Sequence, residues 1–226
     1  RTSMRRIAAV MWAAAVCLLS ACGASGGGTV KEGLYYDASG ICPDAVLLTV
    51  NGEEVAAERY FYWLTYTCDY AAQAMGEGLD WNEERDGGTL AQYVKEEALQ
   101  RTVTYAIVEQ WAAQTGCTLT EEDRSAMEAQ FQADAERCGG EEAYLAQIAT
   151  MGLDREDADA LTAVHYLYTH LEEIYPESDL CPGEGVTIDE GLTEAVSEAE
   201  ITYADTYDTI DAASYYGKVT ALRDNS

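Results

Sequence analysis

Apolar positions along the chain change their period several times, and each change marks an element. Ala45-Val46-Leu47-Leu48-Thr49-Val50 is a short β-branched, apolar run closed by the turn signal Asn51-Gly52, which predicts a strand. The period then lengthens. Phe61, Leu64, Cys68, Ala71 and Met75 recur at spacings of three and four, so a helix is expected over about Ala56 to Met75, stopped by Gly76 and Gly78. Leu90, Val94, Ala98, Leu99, Val103, Ala106 and Ile107 form the stripe of a longer helix, about Thr89 to Thr115, ending at Gly116. Thr120 caps a third helix carrying Met127, Phe131 and Ala135, and a short helix with Tyr144, Leu145 and Ile148 follows Gly139-Gly140 and runs to Gly152. Asp154 caps a fifth, with Leu161, Val164, Tyr168, Leu171 and Tyr175 on one side until Pro176. Cys181 to Ala199 has Gly, Pro and acidic residues without a clear period and reads as a loop. Glu200 to Tyr207 reads as a strand and Asp211 to Leu222 as a last short helix.

The expected fold class is therefore mostly α, with a small two-stranded pairing of the N- and C-terminal segments. A lone strand at Ala45 to Val50 would leave its backbone donors and acceptors unpaired, and Ile201 to Tyr207 supplies a partner late in the chain.

The first residues follow another pattern. Arg1, Arg5 and Arg6 precede thirteen uncharged, mostly apolar residues, Ile7 to Leu19, too few to span a bilayer, which takes about 20. Basic start, apolar middle and small residues before a cut are the layout of a signal peptide, here residues 1–21. Leu19-Ser20-Ala21-Cys22 resembles a bacterial lipobox, which makes Cys22 the lipidation site and places the chain at the extracytoplasmic face of the bacterial membrane. Arg1 is not a natural start, which leaves Met4 as a candidate initiator. Gly23 to Gly33 is rich in Gly and Ser, so residues 22–40 are expected to be lipidated Cys and flexible tether, with residues 41–226 as one domain.

Charge narrows the partners. Removing Arg1, Arg5 and Arg6 leaves 10 of the 13 Lys and Arg against 41 Asp and Glu, a net charge of −31. Nucleic-acid binding depends on Lys and Arg displacing counterions, so such a surface argues against it, and equally against a polybasic membrane patch. Two acyl chains, at about 0.8 kcal/mol per buried methylene, would hold the chain instead.

Candidate chemistries find little support. His165 and His170 are five apart, about 140 degrees around a helix, and share no face, so metal binding by both is not expected. No phosphate loop, nucleophile elbow or dinucleotide glycine pattern is present, and acidic pairs such as Glu53-Glu54 or Glu172-Glu173 are what 41 acids produce by chance. Neither an enzyme nor a cofactor is expected. With Cys17 and Cys22 set aside, Cys42, Cys68, Cys117, Cys138 and Cys181 remain, with no C-x-x-C among them. Disulfides are allowed outside the membrane, and Cys42 and Cys181, both in Cys-Pro steps, form one pairing that spacing alone does not fix.

Several segments in order resemble the helical domain of SurA/PrsA-type foldases, bacterial chaperone lipoproteins. They are Leu48 to Val55 (LTVNGEEV) leading into Tyr60-Phe61-Tyr62-Trp63-Leu64, Leu90 to Leu99 (LAQYVKEEAL), Ala112 to Glu122 (AAQTGCTLTEE), and Gly139 to Leu153 with Asp154 to Asp157. The resemblance covers roughly Ala45 to Tyr175, and more faintly Ile201 to Leu222. It implies a first strand paired with one near the chain's end. Many members carry a parvulin prolyl isomerase of about 90 residues where this chain has only the loop of residues 176–199, so isomerase activity is not carried over. What it implies is a chaperone-like lipoprotein that binds unfolded or exported polypeptides without catalysis. The alternative is a structural or adaptor lipoprotein docking one folded envelope partner. Tyr60, Phe61, Tyr62, Trp63, Tyr66 and Tyr70 crowd one helix too densely to face one side, so some must be open or lie in a groove. On the resemblance, Tyr60, Phe61, Trp63 and Tyr66 are the expected client-binding residues.

Overall fold

The computed structural model describes residues 27–76, 78–85 and 87–225; the stretch read as a signal peptide, residues 1–21, and the expected lipidation site Cys22 lie outside the described residues. Asn51 and Gly52 both have positive φ, 52° and 84°, the left-handed pair that closes a two-residue hairpin. The turn joins β1 (Val46–Val50) to β2 (Glu53–Ala56) with Val50 opposite Glu53. The second strand corrects the expectation that a helix follows the turn directly. A separate two-residue ribbon, β3 (Glu84–Arg85) and β4 (Gly88–Thr89), precedes the longest helix. On its other edge β1 pairs antiparallel with β5 (Ile201–Tyr203), Leu48 opposite Tyr203 and Val50 opposite Ile201. The expected return strand is thus present but shorter than Glu200 to Tyr207, because Asp205–Thr209 coils into a 3-10 turn, and the main sheet has three strands in the order β2-β1-β5.

Most of the chain is helical. α1 is Leu34–Ser39, α2 Ala57–Met75, α3 Leu90–Thr115, α4 Glu121–Cys138, α5 Glu141–Ala149, α6 Arg155–Ile174, α7 Ile188–Glu198 and α8 Ala212–Asp224. The starts of α3, α4, α6 and α7 are each closed by a capping box, Thr89 with Gln92, Thr120 with Asp123, Asp154 with Asp157 and Thr187 with Glu190. Each box satisfies two backbone groups that a helix end otherwise leaves unpaired.

Two of these helices lie where the sequence was read as irregular chain. α1 lies within the stretch assigned to the tether, yet Tyr35 and Ala38 are buried and Tyr35 stacks on Phe61 at 5.7 Å. The order extends further back, because the backbone N–H groups of Thr29 and Val30 donate to the Asp44 carboxylate at 2.9 Å. α7 occupies the stretch read as a loop. Its Ile188 and Leu192 are buried, four apart, but the small Gly191 between them weakens the apolar signal. That glycine is required by packing: a Cβ there would collide with the Tyr175 hydroxyl.

β1 runs between two cores. Leu47 faces the first, built from α1, α2, the start of α3 and α8; Leu48 and Val50 face the second, with the rest of α3, α6, Tyr175 and α7. Successive side chains of a strand point to opposite faces, so one short strand serves both. α3 spans them, with Leu90, Val94 and Ala98 in the first and Val103, Ile107 and Ala112 in the second. Cys42 belongs to the first core and Cys181 packs against the second; both are free thiols, as are Cys68, Cys117 and Cys138.

Candidate functional site

α2 divides its aromatic residues between core and surface. Tyr60 and Phe61 are fully buried: Phe61 stacks on Tyr215 at 5.0 Å, and Tyr60 meets Tyr207 edge-on at 5.4 Å. The Tyr215 and Thr65 hydroxyls share a 2.8 Å hydrogen bond beside them. Trp63 is buried too, covered by Tyr62, Tyr66 and Tyr105 at centroid distances of 4.8, 5.5 and 4.8 Å. Of the four residues assigned to client binding, therefore, Tyr60, Phe61 and Trp63 are core residues and Tyr66 alone is open, 40% exposed. Aromatic density on a helix does not say which rings turn inward; α1 and α8, which cover Tyr60 and Phe61, decide it.

Tyr66 opens onto a groove of about 540 Å³ between α2 and α3. Tyr70 lines it one turn further along α2, 68% exposed, and Tyr93 faces it from α3 at 46%. Met75, Arg85, Glu97 and Arg101 complete its rim. Among the described residues the exposed large hydrophobic side chains are Val30, Tyr66, Tyr70, Tyr93, Ile174 and Tyr203, so half of them converge on this one groove. Scattered exposed apolar residues need no explanation, whereas a concentration of them does. Tyr70 follows Tyr66 by four positions, a signal available in the sequence, but Tyr93 and Arg101 join only through the antiparallel packing of α3 on α2.

A second hollow of about 300 Å³ continues the same seam toward the start of α2, lined by Glu53, Glu54, Glu58, Arg59, Trp63 and Glu109 among others. Burial raises the Glu109 carboxyl above its ordinary range, opposed by Arg59 at 3.4 Å. Burial, reinforced by the nearby Asp157, pushes Glu58 to about 7. The Arg101 guanidinium, on the rim of the larger groove, lies 5.4 Å from the Trp63 ring centroid and 5.6 Å from that of Tyr66. Such cation–π contacts stabilise by about 0.5–1 kcal/mol at exposed sites.

Elsewhere, His170 Nε2 lies 2.7 Å from Asp123 Oδ2 and joins α6 to α4, while His165 lies edge-on to Tyr166. Among the described residues no three His, Cys, Asp or Glu side chains group as metal ligands, and no helix is long and apolar enough to cross a membrane. The chain matches no protein-family profile, no curated protein and no solved structure.

Proposed function

We propose that this chain is a lipid-tethered, extracytoplasmic chaperone-like protein that holds unfolded or exported polypeptides in the α2–α3 seam without covalent chemistry. The observation that carries this reading is the convergence of Tyr66, Tyr70 and Tyr93 on one open groove. Tyrosine offers large contact area at low conformational cost and tolerates partners of varied sequence. The lipobox-like Leu19-Ser20-Ala21-Cys22 and the SurA/PrsA-like segments support the tether and the client class. The high negative charge keeps nucleic acid away.

A photo-crosslinking residue at Tyr70 in the tethered protein tests the reading in cells. A holder of exported chains gives crosslinks to many secreted proteins, and the capture collapses when Tyr66 and Tyr93 are both changed to Ser. A single crosslinked species of fixed size would instead favour an adaptor docking one folded partner.

A further inference from the structure

The main sheet has two outer edges, and they are built differently. The Asn51-Gly52 hairpin closes on the bonded pair Val50 and Glu53, so on β2 the backbone groups of Glu54 point away from β1. That edge is guarded against another strand: Glu53 and Glu54 are exposed charges, the register breaks between Val46 and Leu48, and α2 begins directly after Ala56. On the other side the Asn51 N–H donates to the Glu200 carbonyl at 2.8 Å and the Ala204 N–H to the Leu47 carbonyl at 2.9 Å. Bonded and non-bonded pairs alternate along an antiparallel ladder, so Thr202, opposite Thr49, is bonded to β1, whereas Ile201 and Tyr203 turn their N–H and C=O groups outward. Among the described residues no hydrogen bond from a neighbouring loop or side chain reaches those four groups, and β1 is the main neighbour of β5. Ile201-Thr202-Tyr203 has no charge and no Pro, and its register is unbroken. Thr202 and Tyr203 are exposed, and the Tyr203 ring lies 4.6 Å from that of Tyr207.

We propose that the outer edge of β5 takes an extended segment of a client polypeptide as a fourth strand of the sheet. This rests on the reading of the chain as a polypeptide holder and adds a contact outside the α2–α3 seam. Ile201 and Tyr203 offer two donors and two acceptors, which any extended backbone matches whatever its sequence. The edge is only three residues long, so the contact is weak and reversible, as a holder requires. Side chains set the preference. The Tyr203 and Tyr207 rings give an apolar or β-branched side chain a surface to lie on. Glu200 and Asp205 flank the strand and Asp208 follows, all exposed. Burial, and after it the nearby charge of Glu96, raises the Tyr203 hydroxyl above the ordinary phenol range. Lys95 is engaged by the Ile210 carbonyl at 2.8 Å and lies over the Tyr207 ring. A segment with Lys or Arg beside a β-branched centre therefore fits this edge, and an acidic one is repelled. A second copy of the chain is a poor occupant, because two surfaces of net charge −28 repel.

The test uses the full chain in detergent micelles and the fluorescent peptide Lys-Thr-Val-Thr-Val-Thr-Lys, with affinity read by anisotropy and amide exchange by NMR. In the chain alone the Thr202 amide should exchange slowly and those of Ile201 and Tyr203 fast; the peptide should slow the latter two by about tenfold and leave Thr202 unchanged. The same peptide N-methylated at every Thr and Val keeps its side chains, loses its main-chain donors, and should give no protection. Tyr203→Pro removes one outward N–H and leaves the bonds of Thr202 to β1 in place, so affinity should fall about tenfold. Tyr203→Thr, which drops the ring and keeps the N–H, should retain peptide-induced protection of Ile201, and circular dichroism verifies that both variants fold. Equal binding of the N-methylated peptide, or binding lost in the Tyr66→Ser, Tyr93→Ser double variant and unchanged in Tyr203→Pro, overturns strand addition and leaves the groove reading intact. Protection of Ile201 and Tyr203 that grows with protein concentration without peptide assigns the edge to a second copy and overturns the client. Failure of the peptide to bind any form overturns both readings.

Discussion

The chain has two phenylalanines, and their surroundings differ. Phe61 lies between Tyr35 at 5.7 Å and Tyr215 at 5.0 Å, inside a core to which α1, α2, α3 and α8 all contribute buried side chains. Phe131, on α4, meets Tyr144 edge-on at 5.3 Å on one side and the Arg155 guanidinium at 3.5 Å on the other. Arg155 is held in turn by Glu128 at 2.7 Å and Asp159 at 2.8 Å. α5 contributes no fully buried residue, and α4 only Asp123, Phe131 and Ala135. The first region thus rests on buried area and ring packing, and the α4–α5 limb on a few contacts steered by charge. Burial is insensitive to salt, while exposed ion pairs are weak and screened. The limb is therefore the part expected to open locally while the cores stay closed.

Removing the C-terminal segment breaks the comparison most severely. Without residues after Ala199, β1 loses its β5 edge and the first core loses Ile210, Ala212, Tyr215 and Val219. We expect the cooperative thermal transition followed by circular dichroism to disappear; a transition left unchanged would show that the cores close without it. Phe61→Ala comes next, at about 3–5 kcal/mol for a core phenylalanine, visible as a lowered denaturant midpoint. Phe131→Ala should cost less globally, because its site is thin and can collapse, and should strip protection from α4 and α5 amides in hydrogen exchange.

Arg155→Ala sharpens the contrast on a smaller scale. Losing a cation–π contact of about 1 kcal/mol should speed α5 amide exchange by roughly fivefold, with α2 and α3 amides unaffected; 0.5 M salt should act in the same direction. Equal acceleration in α2 would mean that limb and core open together. The smallest effect concerns pH. Glu58 titrates at about 7 in the fold through burial and Asp157, against 4.5 for an ordinary glutamate carboxyl. The folded chain therefore binds this proton more tightly than the unfolded one, and its stabilisation is lost as pH rises from about 4.5 through 7. Solvent reaches part of the group and screens it, so about 1 kcal/mol is expected, or about 2–4 °C in Tm. Glu58→Gln should flatten that slope.

Local patterning determined much of the molecule. The Gly stops, the Thr and Asp caps and the three-and-four spacing located α2 to α6 and α8 to within a residue or two, because those signals act within a single turn of chain. The Asn51-Gly52 signal marked the turn, and the need of a lone strand for a partner anticipated β5. Tertiary packing decided the rest. α1 and α7 are short and acidic or Gly-containing, so each exists through a few residues, Tyr35 and Ala38 or Ile188 and Leu192, whose burial depends on distant segments. The seam shows the same division: six aromatic residues on α2 were plain in the sequence, but α1 and α8 cover Tyr60 and Phe61 while α3 brings Tyr93 and Arg101 beside Tyr66 and Tyr70. Helical period states which residues share a face, and only the neighbours packed against the helix determine which face is left to solvent.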